Sequence, residues 1–416
     1  MFRTTFIAIT GSVGKTTAKE ALATILEGRG PLVKTDVSRN ELTHLMRKIL
    51  SVRPWHRYAV LEVATDGPGW MKRMAWLARP HIAVILRVAR THSNRFRTLD
   101  DTAREKAVLL STLQRGGIAV LNADDERVAA MAAKTDRRVV WFGTGPQCDV
   151  RADEIACEFP APLTFAVHAG ADRCAVQSQL VGTHWTTSLL AAITAARVVG
   201  VPLDEAAAAV ARLRPVQGRM QPVRTPSGAV ILRDDENGSV ATLDGAFDAF
   251  QQAKAARKIV VITDVADDPA KQRQRASRLG KQVAGMAQVG VFIGGHAEFS
   301  AKGAVSAGMA QEDAHAFVSL EDASNFLRSE LREGDLVLLK GRASDHVSRL
   351  AFAQFGEIGC WVEGCAKNVE CDDCEELRPV GRAILPAAAF PGGFSKRPAK
   401  SRLRPELAAP QCTLDR

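Results

Sequence analysis

Near the start of the chain, Gly11-Ser12-Val13-Gly14-Lys15-Thr16-Thr17 has the composition of a phosphate cradle. Its glycines let backbone N–H groups turn toward an anion, and a helix beginning there adds the positive end of its dipole. Lys15 has the length to reach terminal phosphates, and the Thr16 hydroxyl suits Mg2+. ATP is the ligand this implies. A glycine-rich turn that binds nothing is the plain alternative, and the spacing is shorter than the general G-x4-G-K-[ST] loop. Further along, Glu62 closes an otherwise apolar run, where a carboxylate without a partner is costly. His92 follows a second apolar run, Lys106 lies in a charged helical stretch, and Asp234 and Asp235 are adjacent. Their duller readings are a solvated carboxylate, a surface imidazole, a solvated lysine and two turn residues. His184 reads equally well as a core or helix-capping histidine.

These residues need elements to hold them. Residues 5–10 (TFIAIT) read as a short buried strand feeding the loop. After it, Ala18, Ala21, Leu22, Ile25 and Leu26 fall at helical spacing, and Gly28 and Gly30 stop the helix. Strand-like runs recur at 58–64, 81–89, 117–122 and 137–143, with helical patterns over 101–114 and 186–199. That alternation predicts a doubly wound, mostly parallel α/β sheet. Residues 145–182 predict a small antiparallel patch. Past a hinge at 212–218, strand-like runs at 229–232, 258–264, 289–295 and 335–341 predict a second, Rossmann-like α/β domain. The expected division is an ATP-binding domain over 1–215, the second domain over 216–355, a Cys-rich module over 356–377 and a disordered tail over 378–416.

With 416 residues, 46% hydrophobic and 24% charged, the chain has ample core for two or three domains. No apolar run approaches the ~20 residues that span a bilayer, and the start does not read as a signal peptide. No membrane partner and a cytoplasmic location are therefore expected. The net charge of +9 is scattered, and there is a single Tyr. A solvated basic surface favouring anionic substrates fits better than a nucleic-acid partner. Of eight cysteines, Cys360, Cys365, Cys371 and Cys374 crowd together. Four thiolates at such spacing predict a structural Zn2+ site, with an Fe–S cluster or unliganded cysteines as alternatives. Cys148, Cys157, Cys174 and Cys412 read as ordinary thiols.

Several segments together resemble the Mur ligases, most closely the type that adds D-Ala-D-Ala to UDP-MurNAc-tripeptide. They are ITGSVGKTTAKE, YAVLEVATDGPG, HIAVILRVARTHSNRF, TAREKAVLLSTLQRGGIAVLNADD, LVGTHWTTSLLAAI, PVQGRMQPV, LRDDENGS and LVLLKGRAS, in that order over about residues 4–350. The resemblance implies an ATP- and Mg2+-dependent ligase. A carboxylate is activated as an acyl phosphate, and the amine of an amino acid or peptide attacks it, in cell-wall precursor or peptide-like metabolite synthesis. By resemblance, Gly11, Ser12, Val13, Gly14, Lys15, Thr16 and Thr17 bind the nucleotide phosphates. Thr16 and Glu62 hold Mg2+, and His92 holds a second metal. Lys106 is carbamylated, turning a cation into an anion. His184, Arg219, Asp234 and Asp235 serve the nucleotide, and Lys340 and Ser344 lie near the incoming amine.

Three departures shape these expectations. The sequence opens at the nucleotide loop, so the N-terminal domain that grips the UDP-sugar is expected to be lacking, and a partner protein would have to replace it. Trp185 and Ser188 stand where the family has Asn, and Trp185 is placed to stack on a base. The run Asp234-Asp235-Glu236-Asn237-Gly238-Ser239 shortens a family motif. A non-catalytic nucleotide-binding scaffold acting with a partner is the alternative to a ligase.

Overall fold

A computed structural model describes residues 4–36, 41–90, 95–268, 270–362, 364–365, 370–377 and 412–414. They form two compact units, one drawn from Met1–Cys157, Pro162–Arg214 and Ala408–Arg416, the other from Glu158–Ala161 and Pro215–Leu407.

In the first unit the apolar runs become β1 (Thr5–Thr10), β2 (Leu32–Lys34), β3 (Tyr58–Glu62), β4 (Ile82–Ile85), β5 (Ile118–Asn122), β6 (Arg138–Gly143), β7 (Val150–Ala156), β8 (Thr164–Ala169) and β9 (Asp172–Gln177). Their order across the sheet is β9-β8-β7-β6-β5-β4-β1-β3-β2. Pairing is parallel from β2 through to β7 and antiparallel beyond. Every residue of β3 is buried, as a parallel strand covered on both faces requires. The segment 145–182 supplies the antiparallel strands β7, β8 and β9, and β7 joins them to the main sheet alongside β6.

The helix Lys15–Glu27 buries Ala18, Ala21, Leu22, Ile25 and Leu26, each of the larger three contributing about 2 kcal/mol. Lys19 is also fully buried there. Its Nζ donates to the carbonyls of Thr35 (2.8 Å) and Asp36 (3.1 Å) and pairs with Glu20, the partners a buried cation requires. The helix expected from residue 101 starts earlier, at Leu99, because Thr98 and Asp101 form a reciprocal capping box. β1 lies between β3 and β4, so the strand order reverses around it. The crevice at its C-terminal end is where such sheets bind ligands.

The second unit holds β10 (Gln221–Arg224), β11 (Val230–Asp234), β12 (Arg257–Ile262), β13 (Val289–Ile293), β14 (Ala314–Phe317) and β15 (Asp335–Lys340), ordered β10-β11-β15-β12-β13-β14. Only β10 runs antiparallel. Central β15 is buried at every residue. Its first residue, Asp335, takes a bidentate pair from Arg257, its register partner on β12.

Among the described residues, no three His, Cys, Asp or Glu side chains are grouped to hold a metal ion, so the zinc expected at Cys360, Cys365, Cys371 and Cys374 is not supported. Cys360 and Cys371 instead pack with Phe352, Ala353, Ile358 and Leu377 in a small apolar cluster, and Cys374 and Trp361 lie against it. Burial raises the Cys371 pKa, and its Sγ lies 3.3 Å from His346 Nδ1. The expected disordered tail also contains order: Cys412–Leu414 form β16, antiparallel to β9 with Cys412 opposite Cys174. The rest of 378–416 lies outside the described residues.

Candidate active site

At the end of β1 the chain turns through the glycine loop into the helix Lys15–Glu27. Gly14 has φ 82°, a left-handed conformation that penalises any Cβ. A Cβ at Gly14 would also stand 2.4 Å from Ser188 Oγ. Ser188, on the helix Thr186–Val198, donates its hydroxyl to the Gly14 carbonyl at 3.1 Å. Ser12 Oγ donates to the Ala89 carbonyl and accepts from the Ala89 N–H, both at 2.9 Å. The loop is thus fixed from two sides before any ligand arrives.

Thr16 Oγ1 donates to Glu62 Oε2 at 3.0 Å, and the two residues are 4% and 2% exposed. β3 delivers the carboxylate, and the Glu62 N–H donates to the Thr35 hydroxyl at 2.9 Å. A hydroxyl and a carboxylate side by side are the hard oxygen ligands Mg2+ takes. Thr17 Oγ1 is buried with no hydrogen-bond partner among the described residues, leaving an unused donor at the loop. Phosphate and Mg2+ therefore fit the groups present. His92 lies outside the described residues.

Lys106 is buried at 3% exposure. Burial, reinforced by the nearby Lys15 cation and opposed by Glu105, pulls its pKa down to about 7. Glu105 itself accepts from the N–H groups of Gly69 (2.9 Å) and Met71 (2.7 Å), which locks this helix to the start of the helix Trp70–Ala78. The turn after β5 braces the exit of β4: Asn122 Nδ2 donates to the Leu86 carbonyl (2.7 Å), and Asp125 Oδ2 accepts from the Val88 N–H (2.9 Å).

Trp185 does not offer a face for stacking. It is 7% exposed, and its indole N–H donates to the Val181 carbonyl at 3.1 Å, so it is a core residue. His184 is half-buried beside it, the ring centroids 4.4 Å apart.

In the second unit, Asp234 ends β11 and pairs with Lys340 at the end of β15, Oδ2 to Nζ 2.8 Å. Lys340 is 1% exposed and donates also to the Asn237 carbonyl and Thr242 Oγ1. Asp234 Oδ1 accepts from the Met220 N–H at 3.1 Å, which ties in the turn carrying Arg219. Asp235 faces Arg233, Oδ2 to Nη2 2.9 Å. Ser344 is exposed, its Oγ 3.4 Å from Asp345 Oδ1, next to Ala343, whose N–H donates to the Glu236 carbonyl at 3.3 Å.

Residues 9–196 match the Mur ligase middle domain, and residues 218–343 match the Mur ligase glutamate ligase domain. The UDP-N-acetylmuramoyl-tripeptide–D-alanyl-D-alanine ligases of Mycobacterium bovis and Mycobacterium tuberculosis are each 30% identical, over 86% of this chain and 74% of theirs. The chain belongs to the Mur ligase family. A MurF crystal structure from Acinetobacter baumannii is 25% identical and superimposes with a TM-score of 0.76, covering 84% of this chain and 76% of that one. This Mur ligase is an ATP-dependent acid–amino-acid ligase. Three contacts beside the expected residues escaped the sequence reading: Ser188 under the loop and buried Lys19 in the first unit, and in the second Asp372, which reaches Arg233 with both carboxylate oxygens. Ser188 stood out only as a departure from the family, and the partners of the other two are remote or backbone groups.

Proposed function

We propose that this Mur ligase joins the terminal carboxylate of a UDP-muramyl peptide to the amine of D-alanyl-D-alanine, the reaction for which its mycobacterial relatives are named. The Thr16–Glu62 pair at the mouth of a pre-formed glycine loop carries the reading. A carboxylate oxygen takes the terminal phosphoryl group of ATP, releasing ADP. The amine then attacks the acyl carbon, loses a proton and displaces phosphate.

Such a reaction needs charge neutralised and groups aligned rather than covalent help from the protein. Lys15 and the N–H groups of the loop bind and neutralise the phosphates. Thr16 and Glu62 would hold Mg2+, which when bound spreads negative charge away from the phosphate oxygens. Near neutral pH a substantial share of Lys106 is the free amine, the form that adds CO2 to give a carbamate and a proton. A carbamate there would convert repulsion of Lys15 into attraction. Within the second unit, the clustered Asp234, Asp235 and Lys340, with Arg219 on the adjoining turn, are the groups we assign to nucleotide and amine handling. Substrates of this kind place the enzyme in the cytoplasm.

The test is to trap the activated carboxylate. With Mg-ATP, the muramyl tripeptide and hydroxylamine but no dipeptide, a hydroxamate of the tripeptide should accumulate with ADP. Dipeptide-dependent product without any hydroxamate, or ADP release indifferent to the carboxylate, would count against the acyl phosphate route.

A further inference from the structure

The matched family domain ends at residue 343, yet the chain beyond it returns to the end of β11. The anchor is the apolar cluster of Phe352, Ile358, Cys360, Cys371 and Leu377. Arg349 adds a hydrogen bond from Nη1 to the Val362 carbonyl at 2.8 Å. From this anchor Asp372 sends Oδ1 to Arg233 Nη1 (2.8 Å) and Oδ2 to Arg233 Nη2 (2.9 Å). Two residues earlier, Glu370 accepts from Gln217 Nε2 at 3.3 Å. The extension therefore touches both the turn that carries Arg219 and the strand end that carries Asp235.

Arg233 is 1% exposed, with the Phe352 ring 5.0 Å from its guanidinium carbon. One part of its fork holds Asp372 and another holds Asp235 Oδ2, through Nε (3.3 Å) and Nη2 (2.9 Å). Asp235 lines a cavity of about 20 Å3, room for about one water. Its Oδ1 is buried with no hydrogen-bond partner among the described residues. A guanidinium gripped from both sides cannot swing, so the direction of Asp235 is fixed by a residue outside the matched domain.

We infer that Asp372 is a positioning residue: through Arg233 it sets Asp235 and the following turn to Ser239 in the conformation that serves the nucleotide. This rests on the proposed assignment of Asp235 to nucleotide handling. It goes beyond that assignment by giving the C-terminal extension a part in the site.

The test compares Asp372→Asn and Asp372→Glu with Asp335→Asn. The last breaks a comparable bidentate pair with Arg257 in the same unit and reports on stability alone. Asp372→Asn should raise KM for ATP about tenfold with kcat within about twofold, and Asp372→Glu should recover most of that loss. Asp335→Asn should lower Tm without moving KM. Amide hydrogen exchange over residues 235–239 should quicken in Asp372→Asn and not in Asp335→Asn. A wild-type KM in Asp372→Asn, or a KM shift matched by Asp335→Asn, would overturn the inference even with the ligase intact. If the wild type shows no ATP-dependent turnover, the ligase reading fails, and unchanged exchange over 235–239 would then overturn the positioning claim separately.

Discussion

The Thr16 hydroxyl and the Glu62 carboxylate meet at 3.0 Å although 46 residues separate them in sequence. The contact joins the first turn of the phosphate-loop helix to the end of the neighbouring parallel strand. It sets a hydroxyl and a carboxylate, the ligands proposed for Mg2+, together at the reversal of strand order. Removing either should act on metal and turnover rather than on the fold. Thr16→Val and Glu62→Gln are each expected to lower kcat by a factor of about 100 to 1,000, with Tm changed by only a few degrees. Titration of activity against Mg2+ should show a raised requirement. Normal Mg2+ dependence in Glu62→Gln would remove this residue from the metal site.

Lys106 should make activity fall as pH drops through about 7, the value to which burial and Lys15 bring it. Below that pH the amine is protonated and does not add CO2. The stability effect has a definite sign. An unfolded lysine stays protonated to about 10.5, so between about 7 and 10.5 the unfolded chain binds the extra proton and stability rises with pH. Below about 7 both states are protonated, and the cost of burying the cation is constant. Native mass spectrometry in bicarbonate should find one added CO2, absent from Lys106→Arg. A flat pH profile with no adduct would contradict the assignment.

Ser188→Ala should weaken the loop without destroying it. Losing one hydrogen bond to the Gly14 carbonyl costs about 1 kcal/mol, a few-fold rise in KM for ATP. Gly14→Ala should be far worse, because it adds both the left-handed φ and the 2.4 Å approach to Ser188 Oγ. The double variant relieves the approach but not the φ, so it should recover only part of the loss. Full recovery in the double variant would show that the backbone conformation is unimportant.

The cysteines should prove dispensable for metal. Chelation is expected to leave Tm unchanged, and elemental analysis should find no stoichiometric zinc. Cys371→Ala should cost about 1 kcal/mol, a packing loss of roughly one sulfur in the apolar cluster. Chelator-induced unfolding would restore the zinc reading.

Much of the first unit was legible because its signals are local. The strand, the glycine loop and the Ala18–Leu26 stripe determine one another within about twenty residues. The alternating apolar runs then require a parallel sheet. Glu62 stood out because a carboxylate in an apolar strand demands a partner, although which partner is a matter of tertiary register. The expectations the structure does not support share one cause. The cysteine spacing looked like a ligand set, but Phe352, Ile358 and Leu377, which make it a core, are brought together only by folding. Trp185 likewise read as an aromatic near the nucleotide, whereas the Val181 carbonyl ties it inward. The bond from Asp372 to Arg233 spans 139 residues, and no periodicity or motif announces it.

The most direct test of the central claim is product formation with Mg-ATP, UDP-MurNAc-tripeptide and D-alanyl-D-alanine, followed by mass spectrometry beside a Lys15→Ala control. The account predicts UDP-MurNAc-pentapeptide, ADP and phosphate in equal amounts. Omitting any substrate should abolish all three products, and Lys15→Ala should be inactive but folded. ATP hydrolysis without coupled product across carboxylate and amine substrates, or undiminished turnover in Lys15→Ala, would contradict it.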